Sequence, residues 1–304
     1  MHEMNPDFFS MTPTKTVTTP QPLLTFLIAT WPEVKRTKVK QWLKYDGVYV
    51  NDKVVTQHDH ELSVGDVVSI QPTKAPPPTP DLPDGMRVLY EDADIIVINK
   101  PVNLLTIATE TEQDRTAYNA ITLYVRDRAR TGMARIWVVH RLDRETSGVL
   151  LFAKTEEAKE TLQANWQDFE KRYLALVEGK LPASIGTLRA HIDESQPHRV
   201  FTHVSAGPGT REAITNYRVL RQGMGRTLLE LILETGRRHQ IRVQLAEIGC
   251  PIVGDKKYGA QSNPVRRVAL HSTLLKIQHP RTGKDMVFES PLPDVLVRLL
   301  PSSV

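Results

Sequence analysis

Apolar positions in the first quarter of the chain recur with two different periods. An apolar run over residues 23–28 predicts the start of a helix, and apolar residues spaced by three and four positions predict a second helix over 35–45. Short segments rich in β-branched residues at 48–55 and 66–70 predict a small β-ribbon. Two short helices and such a ribbon bury too small a core to build a catalytic site alone.

A proline-rich stretch separates this module from the rest of the chain. Its prolines can neither continue a helix nor serve a central strand, so we expect a semi-rigid, extended linker over 74–85. The sequence therefore predicts a flexible polar tail over 1–15, a first domain over 16–73 and a second domain over 86–304.

The second domain carries hairpin-like pairs of apolar segments rather than a regular alternation of strands and helices. The segment 87–101 is typical of a hairpin, and further strands are predicted at 136–139 and 149–153. Helical patterns at 116–128 and 156–167 fall irregularly between the strands. This order favours an α+β domain over a doubly wound one.

The composition excludes several classes of protein. With 304 residues, 40% hydrophobic and 24% charged, the chain is not wholly disordered. Its formal charge of +4 permits an acidic partner such as RNA without requiring one. The single cysteine, Cys250, excludes an internal disulfide and a cysteine-rich zinc site, and it fits a reducing compartment. We expect a cytoplasmic protein, because no apolar run approaches the roughly 20 residues of a membrane span and no signal peptide is evident.

The predicted second helix is chemically one-sided. Five basic residues fall within ten positions that contain no acid: Lys35, Arg36, Lys38, Lys40 and Lys44. A solvated helix face explains such a run, and so does a surface that follows nucleic-acid phosphates. The order Arg-Thr-Lys-Val-Lys-Gln-Trp-Leu, then Asp-Gly-Val-Tyr-Val-Asn-Asp-Lys-Val-Val, then Leu-Ser-Val-Gly-Asp-Val-Val favours the second explanation. Over roughly residues 20–71 it resembles an S4 RNA-binding domain, whose basic second helix and following loop grip structured RNA.

A His-Arg-Leu-Asp sequence between two predicted strands places Asp143 close to Arg141 and Arg144. These cations should lower the pKa of the Asp143 carboxyl and keep it ionised at neutral pH. An ionised carboxylate on a rigid turn can act as nucleophile or base, although a salt-bridged surface loop carries the same short motif. The catalytic loop of protein kinases is excluded, since the chain has neither the glycine-rich phosphate loop before it nor Asp-Phe-Gly after it.

The longer string around this aspartate is more specific. Residues 140–155 read His-Arg-Leu-Asp-Arg-Glu-Thr-Ser-Gly-Val-Leu-Leu-Phe-Ala-Lys-Thr and closely resemble the signature of the RluA-type pseudouridine synthases. Five further motifs of that family follow its order, at 99–101, 171–177, 212–217, 234–243 and 251–259. The resemblance covers essentially residues 85–298, and an amino-terminal S4 domain is a common arrangement in this family.

The resemblance implies a pseudouridine synthase fold, an α+β domain with a mixed, mostly antiparallel central sheet, preceded here by a small S4 domain. It implies isomerisation of uridine in RNA, in which the N-glycosidic bond breaks, the uracil turns and C5 is rejoined to the ribose. No metal or nucleotide cofactor is used. The matching aspartate is Asp143, which would either attack C1′ or assist deprotonation at C2′.

The family pattern also implies roles for five neighbours of this aspartate. Arg141 would fill the space that the extruded base leaves, and Tyr173 would stack on that base. Arg242 would pair with the aspartate, while Leu142 and Ile241 would be apolar walls that exclude water. Without the family pattern, a tyrosine in an alternating strand is usually packing, and Arg242 is one of several arginines in its segment.

Three positions depart from the usual pattern. Asn103 stands where glycine is common, and asparagine tolerates the same left-handed turn. Gln244 replaces a frequent histidine and puts the hydrogen bonding near the site in question. Arg238 replaces a small or hydroxylated residue. Separately from these departures, His140 is expected to be structural rather than catalytic.

The resemblance indicates large-subunit ribosomal RNA as substrate, because S4-bearing relatives tend to modify ribosomal RNA, with transfer RNA as the alternative. A rival hypothesis is a non-catalytic RNA-binding factor in ribosome assembly. A glycosidase that excises the base would need a second acid/base carboxylate, and the sequence nominates none. We expect a monomer with no membrane or metal partner.

Overall fold

The computed structural model describes residues 13–34, 36–44, 47–71, 82–128, 134–196 and 199–300. The chain forms two compact units, Met1–Asp81 and Leu82–Val304, and the division falls within the proline-rich stretch. Residues 1–12 of the predicted tail, 74–81 of the predicted linker and Lys35 of the basic helix lie outside the described residues.

The first unit combines two helices with short strands. Its elements are β1 (Thr14–Thr16), β2 (Gln21–Pro22), α1 (Leu23–Thr30), α2 (Arg36–Lys44), β3 (Val48–Val50), β4 (Lys53–Val54), β5 (Glu61–Leu62) and β6 (Val67–Ile70). Four strands form a sheet in the order β1-β6-β3-β4, while β2 pairs with β5. The buried rings of Trp31 and Trp42 meet edge to face with centroids 6.2 Å apart, so the helices share one apolar core.

The strand β1 lies partly within the residues predicted to form the flexible tail. Thr14 and Lys15 pair with Ser69 and Val68 of β6, so ordered structure begins before the predicted boundary at residue 15. All residues of β1 are exposed. The backbone ladder rather than apolar burial therefore holds this strand at the edge of the sheet, and a polar sequence gives no sign of it.

The second unit is built on one large sheet. Its elements are β7 (Arg87–Glu91), β8 (Ile95–Lys100), α3 (Ala117–Arg128), β9 (Trp137–Val138), β10 (Ser147–Ala153), α4 (Glu156–Ala164), β11 (Glu170–Glu178), β12 (Ile185–Asp193), β13 (Phe201–His203), β14 (Thr210–Gly223), β15 (Arg226–Leu233), α5 (Gln240–Glu247), a 3₁₀ turn (Lys256–Tyr258), β16 (Leu270–Gln278), β17 (Asp285–Glu289) and α6 (Asp294–Val297). The main path of the sheet runs β13-β12-β14-β15-β11-β16-β10-β8-β7, with β17 beside β16 and β9 beside β10.

Most strand pairs of this sheet are antiparallel, and β10 with β16 is parallel. The prediction of an α+β domain with a mostly antiparallel sheet is therefore confirmed. In the described residues, no helix has both the length and the apolar character that a bilayer span requires.

The centre of the sheet fixes the loop that precedes β10. Every residue of β10 is buried, as its continuous apolar run predicts for a strand covered on both faces. Gly148 has a φ of +116°, and a Cβ there would lie 2.0 Å from the carbonyl oxygen of Ser272 in β16. Only glycine allows this approach, so β10 and the loop before it are held tightly against β16.

Candidate active site

The loop between β9 and β10 is held by its backbone. The Thr106 hydroxyl donates to the carbonyl of Leu142 at 2.7 Å and accepts the Leu142 N–H at 3.1 Å. One residue later, the Asp143 carbonyl accepts the N–H of Thr146 at 3.1 Å and closes a turn. The backbone on both sides of the Asp143 side chain is therefore fixed before any ligand binds.

A buried lysine also contacts this loop, since the Lys100 ammonium lies 3.5 Å from the Arg144 carbonyl oxygen. The ammonium of Lys100, fully buried at the end of β8, donates to the carbonyls of Leu104 at 2.7 Å and Pro101 at 2.9 Å. The N–H of Asn103 donates to the Arg144 carbonyl at 2.8 Å. Asn103 has a φ of 62°, so asparagine here adopts the left-handed turn that glycine usually provides.

Arg242 is the electrostatic centre of the site. Its side chain is 2% exposed on α5, and it donates from Nε to Asp255 at 2.6 Å and from Nη2 to the same carboxylate at 3.0 Å. The remaining nitrogen, Nη1, lies 2.9 Å from Glu145 Oε2 and 3.5 Å from Asp143 Oδ2. One guanidinium thus contacts three carboxylates from two separate loops.

Burial dominates the electrostatics of Asp143. Loss of solvent raises the pKa of its carboxyl, while Arg242 lowers it, the charge of Glu145 raises it and Lys100 lowers it, with a net rise above the ordinary value. In turn, burial lowers the pKa of the Lys100 ammonium to about 7, although Asp143 and Glu145 oppose that shift.

The prediction that the flanking arginines lower the pKa of Asp143 is wrong. The Arg144 guanidinium turns away to Glu112 and donates to its carboxylate at 2.6 Å, and the Arg141 side chain is exposed. Water screens both charges, so the desolvation of the carboxyl outweighs them.

The structure brings six predicted residues of the second domain to one cleft of about 830 Å³, lined by Arg141, Leu142, Asp143, Tyr173, Ile241 and Arg242. Leu142 and Ile241 are buried in its wall, and Tyr173 on β11 is almost fully buried. Burial raises the pKa of the Tyr173 hydroxyl to about 12, so this ring is neutral at physiological pH.

The basic residues predicted to bind RNA belong to the other unit. Arg36 and Lys40 are exposed on α2, and Lys38 and Lys44 lie within the same helix. Lys35 is outside the described residues.

Two polar residues that the sequence analysis singled out, His140 in the lining of the cleft and Gln244 on α5, are structural. Nε2 of His140 accepts the N–H of Leu151 at 3.1 Å, its ring stacks on Trp166, and burial lowers its pKa to about 3. Gln244 accepts the Thr215 hydroxyl at 2.7 Å and donates to two backbone carbonyls. The glutamine that replaces a frequent histidine is therefore fully bonded.

Sequence reasoning missed three residues that shape the charge around Asp143. Glu145 shares Arg242 with Asp143, and Asp255 holds that guanidinium from the other side. His239 Nε2 lies 4.0 Å from Asp143 Oδ2. All three stand inside motifs that carry the family resemblance, and an acid inside an otherwise basic motif was the available signal for Asp255.

Comparisons with known proteins agree on one class. Residues 94–247 match the RNA pseudouridylate synthase family. The chain is 34% identical over 282 residues to the uncharacterized RNA pseudouridine synthase YlyB of Bacillus subtilis, covering 90% of this chain and 91% of that protein. It is 34% identical over 289 residues to the ribosomal large subunit pseudouridine synthase D of Escherichia coli K12, covering 89% of this chain and 86% of that protein.

A solved structure shares the fold. Human RNA pseudouridylate synthase domain containing 4 superposes with a TM-score of 0.59 at 22% identity, covering 71% of this chain and 94% of that chain. The chain therefore belongs to the RNA pseudouridylate synthase family. It is an RNA pseudouridine synthase, an enzyme that isomerises uridine within RNA.

The anchoring of Arg242 predicts a large effect on stability. Asp255→Asn removes the one fully buried carboxylate that holds this guanidinium and should lower the free energy of unfolding by about 3 kcal/mol, the usual cost of breaking a buried pair. Urea denaturation measures the change.

The matched control is Asp285→Asn. Asp285 pairs with Lys276 at 3.7 Å on the surface, where the side chains are 62% and 47% exposed. That variant should lose less than about 1 kcal/mol. Equal, small losses for both variants would contradict the anchoring role of Asp255.

Proposed function

We propose that Asp143 is the catalytic carboxylate and that the substrate is uridine in large-subunit ribosomal RNA. The observation that carries the proposal is the contact of Asp143 Oδ2 with Nη1 of the buried Arg242 at 3.5 Å, in the wall of a cleft that can hold a nucleotide. The relatives named for the large ribosomal subunit support the choice of RNA.

The proposed reaction begins with extrusion of the target uridine from its stack. Unstacking costs roughly a few kcal/mol, which contacts in the cleft must offset. Tyr173 offers its ring to the extruded uracil, since aromatic faces stack well on bases. Arg141, exposed at the same cleft, is available to occupy the space that the base leaves in the RNA.

Asp143 then acts on the ribose, by attack at C1′ or by removal of the proton at C2′. Both routes need an ionised carboxylate of raised basicity, and burial of Asp143 supplies that basicity. Arg242, fixed by Asp255, keeps the carboxylate aimed and favours its charged form. After the glycosidic bond breaks, the uracil turns in the cleft and its C5 is joined to C1′, which displaces the Asp143 carboxylate from C1′ on the first route or is accompanied by return of the proton to C2′ on the second. C5 then loses its proton to water, and N1 takes up a proton.

We infer that the first unit is an S4 RNA-binding domain that holds structured RNA. Its two helices and small sheet carry the exposed Arg36 and Lys40 on one helix, and cations on a helix face can follow a phosphate backbone. The bacterial relatives also support a location in the cytoplasm, where such RNA is made.

Asp143→Asn should abolish turnover and keep RNA binding. Release of tritium from large-subunit ribosomal RNA labelled at uridine C5 measures turnover, with transfer RNA as the comparison substrate. Because the pKa of Asp143 is raised in the fold, its stabilising contribution is present at low pH and is lost as the pH rises through the folded-state pKa. A neutral asparagine should therefore make the protein at least as stable as the parent at pH 7.

Three results would contradict this proposal. Full turnover by Asp143→Asn would remove the aspartate from the mechanism. Tritium release from transfer RNA alone would show that transfer RNA, not ribosomal RNA, is the substrate. RNA binding by the unaltered protein without tritium release from either RNA would favour the non-catalytic hypothesis.

Glu145→Gln should shift the acidic limb of the pH profile of kcat/KM to lower pH. The negative charge of Glu145 raises the pKa of Asp143. Without that charge, Arg242 Nη1 no longer pairs with a second carboxylate and can interact more strongly with Asp143. Activity that needs the ionised carboxylate is present above its pKa and disappears as the pH falls through it, so a lower pKa extends activity toward acid. Glu112→Gln is the control, because Glu112 pairs with Arg144. A limb that stays in place, or moves equally in both variants, would contradict this coupling.

Arg36→Gln combined with Lys40→Gln should weaken RNA binding and make it less dependent on salt. Each lost phosphate contact reduces the slope of log affinity against log salt by about 0.7 to 0.9. The control is Lys15→Gln, an exposed cation on β1 of the same unit. Filter binding at several salt concentrations gives the slopes, and equal slopes for the double variant and the control would contradict the assignment of α2.

A further inference from the structure

His239 occupies a constrained position beside the reacting carboxylate. It precedes α5 with φ 55° and ψ 19°, a left-handed conformation that histidine tolerates better than most residues. Its side chain is 13% exposed, lines the cleft, and places Nε2 4.0 Å from Asp143 Oδ2. The family resemblance assigns no role to this residue.

The far side of the imidazole is fixed by a tyrosine. Nδ1 of His239 lies 2.7 Å from the hydroxyl oxygen of Tyr258, and the two rings meet edge to face. The buried Tyr258 also accepts the N–H of Val200 at 3.4 Å and lies beneath the Arg242 guanidinium. Val200 and Arg242 therefore hold Tyr258 in place, and Tyr258 in turn fixes the orientation of the His239 ring.

The surroundings also favour one of the two ring nitrogens of His239 as the site of the proton. Burial, reinforced by the charge of Arg242, lowers the pKa of His239 to about 3, so the imidazole is neutral and has one N–H. Nε2 faces the carboxylate of Asp143, where an N–H is favoured. The Tyr258 hydroxyl can then donate to Nδ1, which leaves Nε2–H directed at the carboxylate.

We propose that His239 is a positioning residue that orients the Asp143 carboxylate through its Nε2–H, with Tyr258 fixing the ring. The proposal rests on the catalytic role proposed for Asp143. The 4.0 Å separation is about 1 Å longer than an N–H···O hydrogen bond, and catalytic hydrogen bonds often shorten when the substrate binds.

A second donor is useful because Arg242 is shared. Its Nη1 lies nearer to Glu145, at 2.9 Å, than to Asp143, at 3.5 Å. Both Arg242 and His239 approach Oδ2 of Asp143. Two donors on one oxygen fix the plane of the carboxylate, and Oδ1 is then the oxygen that the proposed mechanism presents to the ribose.

The proposal also concerns the pKa of Asp143. The charged and titratable groups that act on this carboxyl come from five elements: Lys100 at the end of β8, Glu145 on its own loop, Tyr173 on β11, His239 and Arg242 at α5, and Lys257 and Tyr258 on the 3₁₀ turn. A donor at Nε2 favours the ionised form, so its loss should raise this pKa further.

Three variants of the full chain test the role. His239→Asn keeps a residue that tolerates the left-handed backbone and an amide near Tyr258, but it removes the group that faces Asp143. His239→Gln places an amide N–H near the position of Nε2. Tyr258→Phe leaves the backbone of residue 239 unchanged and removes the hydroxyl that holds Nδ1.

His239→Asn should lower kcat roughly tenfold to a hundredfold with KM changed less than about twofold, and it should raise the acidic limb of kcat by about one pH unit. His239→Gln should recover part of kcat. Tyr258→Phe should shift the limb in the same direction by a smaller amount. Thermal unfolding of each variant identifies any loss that comes from misfolding.

Several outcomes would overturn the proposal. These are a kcat within twofold of the parent for His239→Asn, a lower kcat with an unmoved acidic limb in folded His239→Asn and Tyr258→Phe, or an effect on KM alone. Failure of the proposed function looks different, because the unaltered protein would then release no tritium or Asp143→Asn would retain full turnover.

Discussion

The buried guanidinium of Arg242 is the interaction on which the site depends. It joins α5 to the loop before β10 through Asp143 and Glu145, and to the 3₁₀ turn through Asp255. Burying one cation alone would cost several kcal/mol, roughly the penalty that its carboxylate partners must offset. Loss of solvent and the negative charge of Glu145 act against ionisation of Asp143, whereas Arg242 and Lys100 favour it.

The site is therefore less stable with Asp143 ionised than it would be with a neutral side chain at that position. Ionised Asp143 opposes folding, since its pKa is raised in the folded protein, and His239 is held in a backbone conformation that few residues adopt. The surrounding scaffold supplies the compensation. Thr106 binds the backbone of the loop that carries Asp143, Lys100 lies 3.5 Å from the Arg144 carbonyl oxygen of that loop, and the fully buried strand β10 anchors its end.

Much of this arrangement is legible in the sequence. The apolar run that becomes β10 and the string around Asp143 locate the loop that carries this aspartate. The family resemblance selected Tyr173 and Arg242, and both line the same cleft as Asp143. What failed is the inference from chain neighbours to spatial neighbours. Arg144 bonds to an acid 32 positions away instead of acting on Asp143. The predicted tail over 1–15 missed the edge strand β1 for a different reason. Backbone pairing between exposed residues leaves no apolar pattern in the sequence.

Opposed effects on a single carboxyl explain how such a site can be adjusted. Burial makes Asp143 a stronger base or nucleophile but reduces the fraction that is ionised, whereas Arg242 acts in the reverse sense on both. The pKa of Asp143 is therefore a compromise between these two effects. Glu145, partly exposed and bonded to the same guanidinium, modifies that compromise from outside the reacting atoms. In the proposed mechanism, the working pH range would therefore be set by residues that need not touch the uridine.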